Sequence, residues 1–380
     1  MKISIINTLY APFKVGGAEV SVQALAEGLV ERGHEVQVIC LRDGEKEMRT
    51  TINGVSVVYL PLANIYWPYD GKDRGLLKKV IWNLVDTYNI VMAGRVKTLV
   101  DQFSPDVVHT NNLKGFSVAV WRWISESKVR VVHTSRDYYL FHPNSTLFSN
   151  GSNQSVRKTS VLLGSWIKKK ESKFVNAYIG ISNYITNLHI ENGFFCYSES
   201  NTIFNVVTHD VPPKIIEYKI VVGFMGHLSV SKGFDSFIEM ARKFDSPAIK
   251  FIAAGNRATD SKSLDLYKNA IDSKIDLLGF VSPSHFLSKV DVVVMPVKWN
   301  EPFGRVAVEA ALAGKLVFIN PRGGLKELSE IVPNIQILDE NTFLDDIKNG
   351  YPVKKSFIPW HSNFSVRKVV SAYCSVYSGE

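Results

Sequence analysis

The feature that most constrains the fold of this 380-residue chain is a rhythm that runs twice. Short β-branched apolar runs alternate with longer stretches of helical period. In the first half, strand-like runs fall at 2–7, 35–41, 55–61, 106–110, 130–133, 177–181 and 202–206, with helical stretches at 18–32, 76–102 and 183–191. The first of these helices ends on Arg32-Gly33, a basic last turn and a glycine just past it. At Asp210-Val211-Pro212-Pro213-Lys214 the rhythm breaks, and adjacent prolines between apolar runs predict a linker. It restarts with strand-like runs at 220–225, 249–254, 275–278, 291–297, 316–320 and 335–338, and helical stretches at 234–244, 264–273, 284–289, 306–313 and 325–330. Strands separated by helices need crossovers, and crossovers make parallel sheets. The expected fold class is therefore α/β, in two Rossmann-like halves. Ligands of such sheets sit at the carboxyl ends of strands, and two facing halves would place those ends across a central cleft. The length agrees, because it exceeds what one ordinary core organises. The expected domains are 1–210 and 211–362. A final helical segment at 363–380 follows, with Ser362 or Asn363 as its cap.

Composition excludes several classes. Cys40, Cys196 and Cys374 are far apart and form no C-x-x-C pair, so neither a zinc site nor a disulfide framework is indicated. The opening Met1-Lys2-Ile3-Ser4-Ile5-Ile6-Asn7 reads as a buried strand and not a signal peptide, and no apolar run is long enough to span a bilayer. A cytoplasmic protein is expected. The net charge of +8 gathers in two segments, 72–82 and 157–174, where cations mix with Leu, Ile, Phe and Trp. Such segments can hold a protein peripherally on an anionic membrane face, here the inner one. They can equally be solvated basic helices whose apolar stripes pack on their own domain. Nucleic acid is not an expected partner, because no finger, RNP-like or basic-zipper pattern appears.

The chemistry concentrates in Asn300-Glu301-Pro302-Phe303-Gly304-Arg305-Val306-Ala307-Val308-Glu309-Ala310. Two carboxylates flank a tight Phe-Gly turn, and the second lies inside an apolar helical pattern. A sugar nucleotide needs this arrangement. Glu301 can accept bonds from sugar hydroxyls, the backbone N–H groups at Phe303 and Gly304 can face a phosphate at a helix N-terminus, and Glu309 can take the ribose diol. Earlier, Gly16-Gly17 lets the backbone approach a phosphate or sugar closely before a helix. The loop before it is too long for a G-x-G-x-x-G fingerprint, so a dehydrogenase is not expected, although Asp43 mimics its ribose acid.

Glu-x7-Glu within EPFGRVAVEA resembles the donor-binding signature of the retaining glycosyltransferases of family 4, which have the GT-B fold. Other pieces occur in the order that family has them. These are Gly16-Gly17-Ala18-Glu19, Val132-His133-Thr134, Gly226-His227 through Lys232-Gly233, Gly279-Phe280-Val281 and Gly323-Gly324-Leu325-Lys326-Glu327. The resemblance covers nearly the whole chain. It implies that Lys232 and the residue at 227 neutralise a leaving diphosphate, with Val281 also at the donor and with Gly16 and Gly17 at the donor diphosphate or the acceptor. It further implies that His133 sits close to the reacting sugar, with Arg136 and Asp137-Tyr138-Tyr139-Leu140 on the acceptor side. The last helix would cross back to the first domain. Asn205 matches an asparagine near the domain junction. His109 competes with His133 as a strand-end histidine and ranks lower.

His227 departs from the family, which usually has Arg there. Histidine is mostly neutral at pH 7 and lacks arginine's planar fork, so weaker donor affinity is expected. No D-x-D occurs, which fits a metal-independent GT-B enzyme with no permanently bound cofactor and no metal ligands. The expected donor is a nucleotide sugar, a UDP-sugar ahead of a GDP-sugar. The expected acceptor is a hydroxyl of a glycan or lipid-linked glycan in bacterial surface polysaccharide assembly. Rivals are a sugar-nucleotide epimerase, a phosphorylase with lysine-bound pyridoxal, and a non-catalytic partner subunit.

Overall fold

A computed structural model describes residues 1–13, 16–207, 220–244, 246–256, 261–348 and 360–380. The expected linker at Asp210–Lys214 lies outside the described residues. The chain divides into two units. One comprises Met1–Leu147, Ser155–Val206 and Ser365–Glu380, the other Phe148–Gln154 and Val207–Phe364.

The elements begin β1 (Lys2–Ile6), α1 (Gly17–Glu31), β2 (Glu35–Arg42), β3 (Met48–Ile52), β4 (Val55–Pro61), α2 (Leu76–Thr87), α3 (Ile90–Phe103) and β5 (Val107–Thr110). Next come α4 (Ala119–Ser125), β6 (Arg130–Ser135), the short hairpin β7 (Phe148–Ser149) and β8 (Ser152–Asn153), α5 (Thr159–Glu171), β9 (Ala177–Gly180), α6 (Asn183–Glu191) and β10 (Glu199–Thr202). The second unit continues with β11 (Ile220–Met225), α7 (Phe234–Lys243), β12 (Ile249–Ala254), α8 (Ser261–Asp272), β13 (Asp276–Leu277), α9 (Pro283–Leu287) and β14 (Val292–Met295). It ends with α10 (Arg305–Leu312), β15 (Leu316–Ile319), α11 (Gly324–Ile331), β16 (Ile335–Ile337) and α12 (Phe343–Lys348), before α13 (Val366–Ser378) closes the chain.

The first unit is built on an eight-stranded sheet ordered β10-β9-β6-β5-β1-β2-β4-β3. Every pairing is parallel except β3 with β4. Parallel strands covered on both faces read as continuous apolar runs, and Ile3, Ile5, Val36 and Val38 are buried accordingly. Helix α1 lays Val22, Leu25 and Leu29 on this sheet. Helix α13 belongs to the same core through Val369, Val370 and Tyr373. It packs so tightly on α1 that a Cβ at Gly28 would lie 2.7 Å from Val366 Cγ1. Polar ties fix it too: Tyr377 Oη lies 2.7 Å from His109 Nδ1, and Arg130 Nε donates to Val376 O at 3.0 Å.

The second unit has a six-stranded sheet ordered β13-β12-β11-β14-β15-β16, parallel throughout. Strand order reverses between β11 and β14. That reversal opens a crevice at their carboxyl ends, where ligands of doubly wound sheets bind.

Several local expectations change. The expected helix over 76–102 is two helices, because Asn89 caps a new one by accepting from Met92 N at 3.0 Å. The expected strand at 202–206 lies earlier, as β10, and α13 is capped by Ser365 instead of Ser362 or Asn363, which lie in a 3-10 turn. Strand β3 was not expected. It forms a two-residue hairpin with β4 through Asn53-Gly54, both at positive φ.

Candidate functional site

In the second unit, the loops after β11 and β14 meet at the reversal point. The β11 loop passes against the backbone of the other, and a Cβ at Gly233 would sit 1.8 Å from Pro296 O. Gly233 also has φ +77°, so glycine is required twice over. Ser231 O accepts from Lys298 N at 2.9 Å and Trp299 N at 3.1 Å, which locks the loops together.

That lock delivers Lys232 to Glu301. The Nζ donates to Glu301 Oε2 at 2.6 Å and stands 4.6 Å from the centroid of the Trp299 ring. Trp299 Nε1 donates to the same oxygen at 2.9 Å. Behind the carboxylate, Gly324 N donates to Glu301 O at 2.7 Å. The Glu301 carboxylate is thus oriented by two side chains, and its backbone is pinned to the start of α11.

Three residues later, Gly304 takes φ +102° and caps α10. A Cβ there would lie 2.3 Å from Leu325 Cδ2, so the turn into α10 also needs glycine. The Phe303 ring is buried, 6.0 Å from that of Phe364. Helix α10 therefore starts four residues after Glu301, and Ala307 N and Val308 N donate back to Gly304 O at 3.0 and 3.3 Å. Glu309 is buried one turn along and accepts from Arg305 Nε at 2.7 Å. Burial raises its pKa, and Arg305 opposes the rise. His227 lies at the exposed rim. Partial desolvation, and then the charge on Lys232, lower its pKa, so its ring is neutral at pH 7. Val281 is half-buried in the loop after β13.

In the first unit, Gly16 precedes α1 and its N–H donates to Glu19 Oε2 at 2.8 Å, while Gly17 opens the helix. His133 is buried inside β6, which runs two residues beyond it to Ser135 instead of ending there as expected, and its Nδ1 lies 2.9 Å from Thr110 Oγ1. Trp121 meets its ring edge-on at 4.9 Å, and Phe195 stacks at 5.6 Å. Burial holds its pKa well below the usual histidine range. Arg136 bonds to Asn111 Oδ1 at 2.9 Å and to Asn205 Oδ1, which fixes Asn205 within this unit. Asp137 accepts from Tyr139 N at 2.7 Å, and desolvation pushes its pKa up to about 6. Tyr138 is buried and donates its N–H to Ser145 O at 3.2 Å. His133, Arg136 and Asp137 line one small cavity with Asn111 and Tyr139. His109 bridges Thr134 and Tyr377 and so serves the anchoring of α13.

Two families match this chain in sequence. Residues 16–164 match the Glycosyl transferase 4-like domain, and residues 208–330 match Glycosyl transferases group 1. The chain is a group 1 glycosyltransferase of family 4. It is 45% identical, over the full length of both chains, to a 42.6 kDa protein of the cps region of Klebsiella pneumoniae. Its fold matches sucrose-phosphate synthase from Thermosynechococcus elongatus with a TM-score of 0.74 at 13% identity, covering 100% of this chain and 98% of that one. It also matches Anabaena Alr3699/HepE, solved in complex with UDP and glucose, with a TM-score of 0.72 at 18% identity over 100% of both. These likenesses make the fold GT-B.

Three residues of this glycosyltransferase escaped the reading of its sequence. Trp299, the second donor to Glu301, sits two positions before it, a spacing that puts both on one side of an extended segment. Lys168 is buried although it lies in a lysine run, and its Nζ donates to Tyr139 O at 2.7 Å. Its spacing from buried Val161 and Ser165 marks the inner face of α5. Asp86 is buried opposite, accepting from Gly115 N. Burial raises the pKa of Asp86 and lowers that of Lys168 to about 8, and each carboxylate in the cluster resists the latter shift.

Proposed function

We propose that this glycosyltransferase moves a sugar from a nucleoside diphosphate, a UDP-sugar ahead of a GDP-sugar, to a hydroxyl of a glycan or lipid-linked acceptor. The configuration is retained and no metal is needed. In this reading the second unit is the donor domain. Lys232 and the backbone at Phe303 and Gly304, just before α10, take the diphosphate, Glu301 takes sugar hydroxyls and Glu309 the ribose. His227 adds one neutral hydrogen bond, and Val281 borders the donor. The first unit is the acceptor domain, with Gly16 and Gly17 before α1 and with Arg136, Asp137 and Tyr138 after β6. His133, buried and neutral, can exchange a hydrogen bond near the reacting sugar but cannot act as a cationic acid.

The observation that carries the reading is the convergence of Lys232 and Trp299 on one oxygen of Glu301. Among the described residues the other oxygen takes no bond, which suits a sugar hydroxyl. Lysine has three N–H donors, so one can hold Glu301 while others meet phosphate. Transfer builds positive charge at the anomeric carbon and negative charge on the departing phosphate. A fixed cation beside a fixed carboxylate answers both without rearrangement. The cps-region relative suggests capsular polysaccharide assembly, on the cytoplasmic side where nucleotide sugars are made available. Calorimetric titration with UDP, GDP and ADP tests the donor site. Micromolar binding of one nucleotide supports the reading. No binding of any favours a non-catalytic partner subunit, the alternative that His227 motivates.

A further inference from the structure

Two helices of the first unit are inside out. A surface helix of a globular protein turns its apolar stripe inward and its charges outward. Helix α2 does the reverse: its buried residues are Trp82 and Asp86. Leu76, Leu77 and Leu84 are 80%, 73% and 68% exposed, and Val80 and Ile81 are exposed with them. At the α-helical pitch these five form one stripe, about 140° wide and opposite the Trp82–Asp86 side. Helix α5 repeats the pattern. Val161, Ser165, Lys168 and Glu171 face in, while Leu163 and Trp166 are 75% and 63% exposed beside exposed Leu162.

Polar contacts hold both helices in this orientation. Tyr139 Oη donates to Asp86 O at 3.2 Å, and Lys168 Nζ donates to Tyr139 O while lying 3.7 Å from its ring. Rolling either helix to hide its leucines would drag Asp86 or Lys168 out of this cluster. One residue, Tyr139, thus ties the inward sides of both helices, and each stripe is left facing out.

We infer that these exposed stripes, each bordered by cations, dock on an anionic lipid bilayer. Exposed cations border both stripes: Lys72, Lys78 and Lys79 at α2, and Arg157, Lys169 and Lys170 at α5. Lys170 lies 5.6 Å from the Trp166 ring, which joins a cation to the residue type that favours the bilayer interface. A second copy of the chain fits less well. A two-fold contact sets the same patch against itself and would bring cations against cations. A bilayer supplies apolar depth beneath an anionic surface, matching leucines ringed by lysines. That the docked enzyme meets a lipid-linked acceptor there rests on the proposed function; the docking surface itself does not.

The test is flotation of the full chain with phosphatidylcholine vesicles, with and without phosphatidylglycerol. Each cation near an anionic surface contributes about fivefold. Wild type should therefore partition at least about tenfold better when phosphatidylglycerol is present. The double variant Leu77→Asp/Leu84→Asp should lose partition by about tenfold or more, and Lys169→Glu/Lys170→Glu should lose the lipid preference. These positions are exposed, so melting temperature and UDP affinity should match wild type. UDP titration without vesicles keeps the readings apart: partition without UDP binding would sink the transferase reading alone. Failure of wild type to float, or variants floating like wild type, overturns the docking surface. Self-association relieved by Leu77→Asp also overturns it, by giving the face to a second copy.

Discussion

Lys232→Met removes the ammonium that the structure sets between Glu301 and the proposed phosphate position. Methionine keeps most of the stem against the Trp299 ring, which lies 4.6 Å from Nζ in wild type. What goes is charge. A hydrogen bond to a charged group contributes about 1.5–3 kcal/mol. UDP affinity should therefore fall about 10- to 150-fold. Uridine, which has no phosphate, should bind variant and wild type alike. The pair with Glu301 is largely screened from water, so losing one partner should also lower fold stability, by about 1–3 kcal/mol. Calorimetric titration with UDP and uridine, beside a thermal melt, reads all three quantities. A UDP affinity within about twofold of wild type would refute the assignment of phosphate to Lys232. An equal loss for uridine would mean that the variant had disturbed the fold of the site instead.

Other consequences are equally concrete. Trp299→Phe deletes one donor to Glu301 and keeps the ring, so kcat/KM should drop about 10-fold or more while UDP affinity holds, as initial rates and calorimetry would show. Gly233→Ala would force a Cβ against Pro296 O, 1.8 Å away, at a positive φ; a thermal melt should fall by several degrees, and an unchanged melt would contradict the loop packing. His189 is fully buried, and desolvation lowers its pKa to about 4. The unfolded chain binds that proton near pH 6.5, so the neutral ring's contribution is whole above about 6.5 and is lost as pH falls toward about 4. His189→Gln should take up about one proton fewer on unfolding across that window, measured from stability against pH; identical slopes would refute the burial argument.

The doubly wound plan was legible because parallel strands covered on both faces print as apolar runs, as Ile3–Ile6 and Val36–Leu41 do. Strand β3 was not, because its Met48-Arg49-Thr50-Thr51 is exposed and carries no alternation; its only signal was the Asn53-Gly54 turn. The Glu301–Glu309 stretch was legible as chemistry, since a turn glycine between two carboxylates has few structural excuses. The orientation of Glu301 was not, because Lys232 arrives from 69 residues away. The nest around His133 was equally hidden, being assembled from Trp121, Tyr178 and Phe195, which belong to separate segments. For α2 and α5, the sequence offered two readings of the basic apolar segments. Which side faces out was decided by Asp86 and Lys168, whose partners are distant in the chain.

The most direct test of the central claim is turnover. Purified enzyme would be given a panel of UDP- and GDP-sugars with a lipid-linked glycan extract, and nucleoside diphosphate release and product anomeric configuration would be followed by proton NMR. Release from one donor is expected, with retained configuration in the product, and loss of both in Glu301→Gln while UDP still binds. Release that Glu301→Gln leaves intact, or an inverted product, would contradict that claim.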